Sequence, residues 1–175
     1  MKILTAYFSH AGENYFDGKI IAVKEGNTAI VAKKIAAMTG SDVFEIARET
    51  PYPYSYAECV KEAKEEYIRN SRPELKESVS VKGYDVVILA YPNWCGTMPM
   101  AVFTFLESGN FAGKKILPVC TNEGSRMGRS EGDIKALCPE AEVVDGLPIS
   151  GSLVREADEK ITYYLKSHGI PVKEN

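Results

Sequence analysis

Apolar positions fall into short dense runs that alternate with stretches of helical spacing. Ile3-Leu4-Thr5-Ala6-Tyr7-Phe8 is nearly unbroken and of strand length, the pattern of a parallel strand covered on both faces. Residues 28–38 then carry Val31, Ile35 and Met38 at i, i+4 and i+7, which predicts a helix that Gly40 stops. Val43-Phe44-Glu45-Ile46 reads as a second strand, and Thr50-Pro51-Tyr52-Pro53-Tyr54 as a loop. A charged helix follows from Ser55 to Asn70, its inner face marked by Val60, Ala63 and Tyr67, and Arg72-Pro73 ends it. Tyr84 to Ala90 is the clearest buried strand.

The second half repeats the alternation. Pro99 is placed to be the first residue of a short apolar helix through Leu106. Lys115 to Cys120 is a fourth strand, with Pro118 read as a bulge or as a position near the strand's start, because proline cannot donate to a ladder. Ser130-x-x-Asp133 resembles a capping box before a helix that Pro139 terminates. Val143-Val144 suggests a short edge strand, and residues 153–168 a last helix on Val154, Ala157, Ile161 and Leu165, closed by Gly169. The alternation predicts an α/β fold, with a doubly wound, five-stranded parallel sheet and helices on both faces. Without repeats or a linker, residues 1–175 read as a single domain.

In such sheets ligands bind beyond the carboxyl ends of the strands, where strand order reverses. Three loops would meet there. The first runs from Ser9 through His10, Gly12 and Asn14 to Gly26-Asn27-Thr28, where the helix opens. Free amides of a first helical turn, Ser and Thr hydroxyls and the helix dipole together favour an anion without any Lys or Arg. Asn27 or Thr28 could instead simply cap the helix. His10 is expected to point to solvent and lend an N–H rather than serve as a general base.

The second loop is Tyr91-Pro92-Asn93-Trp94-Cys95-Gly96-Thr97 and the third Thr121-Asn122-Glu123-Gly124-Ser125-Arg126-Met127-Gly128. A lone Trp is usually core. Trp94, between Asn93 and Cys95 in a polar turn, is better accounted for by stacking on a planar ligand. Gly96, Gly124 and Gly128 would let the backbone come close to it, although the last two also suit ordinary turns. Glu123 and Arg126 read most simply as solvated charges. One loop for a phosphate and two for a flat ring suggest a site for flavin mononucleotide (FMN).

Composition narrows the classes. Hydrophobic residues make up 45% and the net charge is −3, with no dense basic stripe, so neither disorder nor nucleic-acid binding is expected. Cys59, Cys95, Cys120 and Cys138 lie far apart and read as reduced thiols rather than metal ligands, so no metal is expected. With no signal-like leader and no run of membrane-spanning length, a cytoplasmic protein is expected, without a membrane partner.

These residues and their order resemble the flavodoxin family over almost the whole chain. The family's phosphate loop reads roughly Ser/Thr-x-Thr-Gly-Asn-Thr. Here Ser9 takes the first position and Gly26-Asn27-Thr28 the last three, with residues 13–25 inserted between. The resemblance implies a flavodoxin-like sheet in the order 2-1-3-4-5. Ser9, Asn27 and Thr28 become phosphate ligands, Pro92 to Gly96 a loop flanking the isoalloxazine, and Thr121 to Gly128 the second ring loop. Tyr91-Pro92-x-Trp94-x-Gly96-Thr97 is the more specific motif. Cys95 stands where relatives often carry an aromatic. With the fifth strand uninterrupted, the short-chain form is the closer match. The insert is too apolar for a solvated loop and is expected to fold over the phosphate end or pack on a partner chain, without adding to the sheet.

The leading function is an electron carrier that works through bound FMN, with a redox partner protein and no catalytic side chain of its own. The alternative is an FMN-dependent NAD(P)H oxidoreductase acting on quinones or similar small acceptors, as a monomer or a homodimer. A non-catalytic binding module with a degenerate pocket is a third, weaker reading. A phospho-acceptor receiver lacks its acidic residues here, a dinucleotide fold its Gly-x-Gly-x-x-Gly, and a serine hydrolase its Gly-x-Ser-x-Gly.

Overall fold

Three runs too apolar to face water on either side build the centre of the molecule. A computed structural model describes residues 1–173. In it β1 (Ile3–Tyr7), β5 (Val86–Pro92) and β6 (Lys115–Asn122) lie side by side and parallel, with Thr5 opposite Ile88 and Ala90 opposite Val119. β4 (Asp42–Glu45) pairs on the far side of β1, and β7 (Glu142–Val143) and β8 (Leu147–Ser150) on the far side of β6. Counted along the chain within this sheet, the order is 2-1-3-4-5, as the sequence reading expected.

The two-residue period of the strands then sorts side chains into two cores. Along β5, Val87, Leu89 and Tyr91 enter one cluster and Val86, Ile88 and Ala90 the other. The first cluster takes Met100 to Leu106 of α3 (Met100–Ser108), Ile134 of α4 (Ser130–Leu137) and Tyr67 of α2 (Tyr56–Ile68). The second takes Val31 and Ile35 of α1 (Asn27–Thr39) and Ile161 and Leu165 of α5 (Asp158–Ser167). Helices therefore cover both faces. Gly40 stops α1 with φ +69 and its N–H on Ala36 O at 2.8 Å. Among the described residues no helix is long and apolar enough to cross a membrane.

Several expectations are corrected. Pro118 makes no bulge, because the β5–β6 register runs straight through it. The edge is split instead. β7 pairs with Lys115 and Ile116, β8 with Val119 to Asn122, and Pro118 falls in the gap, where Tyr164 OH donates to its carbonyl at 3.0 Å. Its missing N–H thus costs no ladder bond. The edge was read as Val143-Val144 alone, and β8 escaped notice. The last helix is broken, with a 3₁₀ turn at Gly151–Glu156 ahead of α5. Pro99 lies one position before the helical residues of α3 rather than among them. Ser130 does not cap α4. Its hydroxyl donates to Met127 O at 2.6 Å and accepts from buried Tyr91 OH at 2.8 Å, while Asp133 accepts from Thr97. α2 buries Cys59 and Ala63, and Val60 is exposed.

The insert is not a loop. β2 (Gly12–Phe16) and β3 (Lys19–Val23) form an antiparallel hairpin, a two-stranded sheet of their own that adds nothing to the main one. Asp17 and Gly18 close it, both with positive φ (+43 and +85), the geometry a two-residue hairpin turn demands.

Candidate functional site

The carboxyl ends of β1, β5 and β6 open into one cavity of about 510 Å³. Its floor comes from residues that leave the sheet. Ser9 Oγ accepts from the Ala29 amide at 3.1 Å and so caps α1 from a different segment. The Ile30 amide bonds Gly26 O, which leaves the Asn27 and Thr28 amides directed out of the helix start. Gly26 makes this approach possible. A Cβ there would lie 2.3 Å from Ser9 Oγ and 2.6 Å from His10 O. Thr28 Oγ1 and Thr121 Oγ1 share one buried hydrogen bond of 2.8 Å. Two hydroxyls that share one bond leave one O–H free to donate into the cavity.

His10 lines the cavity, with Nε2 2.9 Å from Pro53 O. A carbonyl only accepts, so Nε2 carries the proton and, in the neutral ring, Nδ1 is left as the acceptor. Asn14 Nδ2 donates back to His10 O at 3.0 Å and fixes the turn into the hairpin.

Trp94 forms a side wall. It is half-buried and stands edge-on to Phe8 and Tyr52, with ring centroids 5.0 and 5.1 Å away. Core against one side and cavity against another is an arrangement the sequence reading treated as alternatives. Tyr52 is held in turn by Arg48, stacked 3.7 Å over its ring, and by a hydrogen bond to Glu66. Beyond Trp94 the chain makes a two-residue turn. Trp94 and Thr97 exchange backbone bonds of 2.9 and 3.0 Å around Cys95 and Gly96, both with positive φ (+54 and +77). Glycine accepts this freely; for Cys95 it is a strained conformation held by those two bonds. Cys95 lines the cavity as an exposed residue, and local desolvation of its thiol raises its pKa despite Lys64 and Arg129 nearby.

The cavity gathers Ser9, His10, Asn14, Asn27 and Thr28 from the first loop. The second contributes Pro92, Asn93, Trp94 and Cys95, and the third Thr121, Asn122, Glu123 and Ser125. Gly12, Gly96, Gly124 and Gly128 do not line it. Gly12 sits at the hairpin base against Tyr54 O, and Gly128 lies where a Cβ would fall 2.2 Å from Gly96 O, so those two shape the loops. Gly124 borders a neighbouring cleft.

Sequence reasoning missed one whole wall. Glu13 and Tyr15 of the hairpin and Tyr56, Cys59, Val60 and Ala63 of α2 close the far side. Tyr15 stacks on Tyr56 at 6.4 Å, the Glu13 amide donates to Tyr54 O at 2.9 Å, and the Tyr56 amide donates to Glu13 at 2.8 Å. The hairpin tip crosses to the third loop, where the Asp17 amide donates to Glu123 at 3.3 Å. The Asp17-Gly18 pair was the available signal for this element. Among the described residues no cluster of His, Cys, Asp or Glu could hold a metal ion.

A family profile described as Flavodoxin matches residues 2–165. Among solved structures, a protein assigned as a flavoprotein from Bacteroides uniformis ATCC 8492 is 25% identical, with a TM-score of 0.71 over 94% of this chain and 97% of that one. Another from Bacteroides eggerthii DSM 20697 is 27% identical, with a TM-score of 0.68 over 92% and 98%. A flavoprotein from Lactobacillus acidophilus NCFM, solved in complex with FMN, shares the fold at 18% identity and a TM-score of 0.62 over 89% and 97%. No curated protein matches the chain.

Proposed function

The chain belongs to the flavodoxin family, and on that footing we propose that it binds FMN and carries electrons through it. The observation that carries this reading is the meeting, in one cavity, of an anion-ready helix start and an aromatic wall. The residues fit the group. Ser9, Asn27, the first-turn amides of α1 and the free hydroxyl of the Thr28–Thr121 pair would take the phosphate. Pro92, Asn93, Trp94 and Cys95 would flank one side of the ring, and Thr121, Asn122, Glu123 and Ser125 the other. FMN, when bound, supplies reversible one- and two-electron chemistry. The protein's own work is positioning and shielding. Trp94, braced by Phe8 and Tyr52, offers a fixed face, and the hairpin keeps water from one side. The relative from Lactobacillus acidophilus lends support through the FMN it holds in the same fold.

A second reading, an FMN-dependent NAD(P)H oxidoreductase for small planar acceptors, is favoured by the extra wall. Tyr15, Tyr56, Val60 and Ala63 make an apolar alcove walled by the insert, which suits a small acceptor better than a docking protein.

Titration of the purified chain with FMN and with riboflavin, followed by flavin absorbance and Trp94 fluorescence, tests the proposal. FMN is expected to bind more tightly by about 1–3 kcal/mol or more, since riboflavin leaves the helix-start donors unused. Equal affinities would overturn the phosphate assignment. Reduction of the bound flavin by NAD(P)H without a partner protein would select the second reading.

A further inference from the structure

Beside the main cavity lies a second cleft of about 400 Å³, between the 122–126 loop and the segment from β8 into α5. Asn122 borders both spaces. Its amide reaches Ile149 O at 3.3 Å, and its side-chain oxygen accepts from the Gly124 amide at 2.9 Å, so this one residue ties the third loop to β8.

The cleft's chemistry is mixed in a particular way. Lys160 Nζ donates to Pro148 O at 2.7 Å, which leaves the ammonium two further donors. Arg126 stands on the opposite lip, on a backbone with φ +55, and its guanidinium enters no ion pair among the described residues. Lys160 enters none either. Glu156 adds a carboxylate to the same space, and Pro148 and Leu153 an apolar wall, Leu153 being 58% exposed. A bare inorganic anion would meet two cations but also Glu156. A ligand with an anionic part, hydroxyl donors and a flat apolar part satisfies all of them.

We propose that this cleft binds a nucleoside diphosphate, with the phosphates on Arg126 and Lys160, ribose hydroxyls on Glu156 and the base against Leu153 and Pro148. Because Asn122 is shared, a dinucleotide seated here has its other half directed over the third loop toward the main cavity. As the resting place for half of a nicotinamide dinucleotide the cleft depends on the oxidoreductase reading; as a nucleotide site it does not.

Calorimetric titration of the full chain with ADP, adenosine and inorganic phosphate, each with and without saturating FMN, is the test. One ADP is expected per chain in both states, with adenosine and phosphate each at least about tenfold weaker. Lys160→Gln and Arg126→Gln should each lower ADP affinity about tenfold, Lys160→Arg should restore it, and Lys160→Gln should leave FMN affinity unchanged. Displacement of ADP by FMN in one-to-one competition would put the nucleotide in the main cavity and overturn the assignment. So would phosphate binding as tightly as ADP, or no ADP binding at all. If FMN itself does not bind, the flavin reading falls, while ADP binding to the chain alone still decides the cleft.

Discussion

The floor of the main cavity and the hairpin that walls it are built on opposite principles. Floor residues sit where the first turn of α1 meets the buried end of β6. Thr28 and Thr121 are 2% and 4% exposed, and their hydroxyls share one hydrogen bond that leaves a single O–H over. The hairpin's outer strand is open on both faces, with Ile20 at 48% and Ile21 at 46% exposure, and few bonds tie it to the rest. Close packing makes the first intolerant of change, while the second depends on contacts weak enough to open. Stability should therefore reside in the floor and access in the hairpin.

The harshest test of that contrast is Gly26→Ala. The new methyl would press on Ser9 Oγ and His10 O. A loss of about 3 kcal/mol in urea unfolding is expected, with loss of FMN binding. A mild effect would mean that the floor yields as easily as the hairpin.

Trp94→Ala probes the wall between the two regions. FMN affinity should fall by about 1–3 kcal/mol, by analogy with aromatic–base stacking, and Trp94→Phe should recover part of it. In the parent chain, bound flavin should quench Trp94 emission; unchanged emission would leave Trp94 as core alone.

Alkaline pH sharpens the comparison, because every cysteine lies outside the hairpin. Burial pushes the thiols of Cys59 and Cys120 up to about 12 and that of Cys138 to about 11. The unfolded chain releases these protons from about pH 9, whereas the folded chain retains them. Stability is thus complete below pH 9 and falls as the pH rises toward 11–12, on the order of 1 kcal/mol per thiol at pH 10. Urea melts at pH 8 and pH 10 would show it as loss of the whole domain, with no separate hairpin step.

The smallest effect belongs to the hairpin tip. Glu123→Ala removes the acceptor of the Asp17 amide and should cost only about 0.5–1 kcal/mol. Amide exchange across residues 13–25 should nonetheless quicken, and FMN should slow it in the parent chain. Identical exchange with and without FMN would detach the hairpin from the site.

Much of this was legible from local pattern. Fully buried parallel strands must be apolar throughout, so Ile3–Phe8, Tyr84–Ala90 and Lys115–Cys120 announce themselves. Ser9, Asn27, Thr28 and the residues after β5 and β6 could be assigned together because an α/β sheet delivers its strand ends to one edge. The hairpin was half legible. Its apolar content was read as a reason not to be a free loop, yet its Asp17-Gly18 turn passed unnoticed. Other features depend on what lies across space. The break at Gly151–Glu156 and the split edge around Pro118 follow from how the last segments fit beside β6, with Tyr164 satisfying a carbonyl 46 positions away. Ser130 does not cap because its hydroxyl serves Tyr91 OH and Met127 O instead, partners set by the tertiary fold. The wall of Tyr15, Tyr56, Val60 and Ala63 joins two segments that no local period connects. Sequence alone determined the central buried strands and the loops that follow them, since burial and turn chemistry act locally, but it misplaced Val60 and left β8 unread. The tertiary structure decided which polar groups are already spent on each other and which still face the cavity, because that depends on partners far apart in the chain.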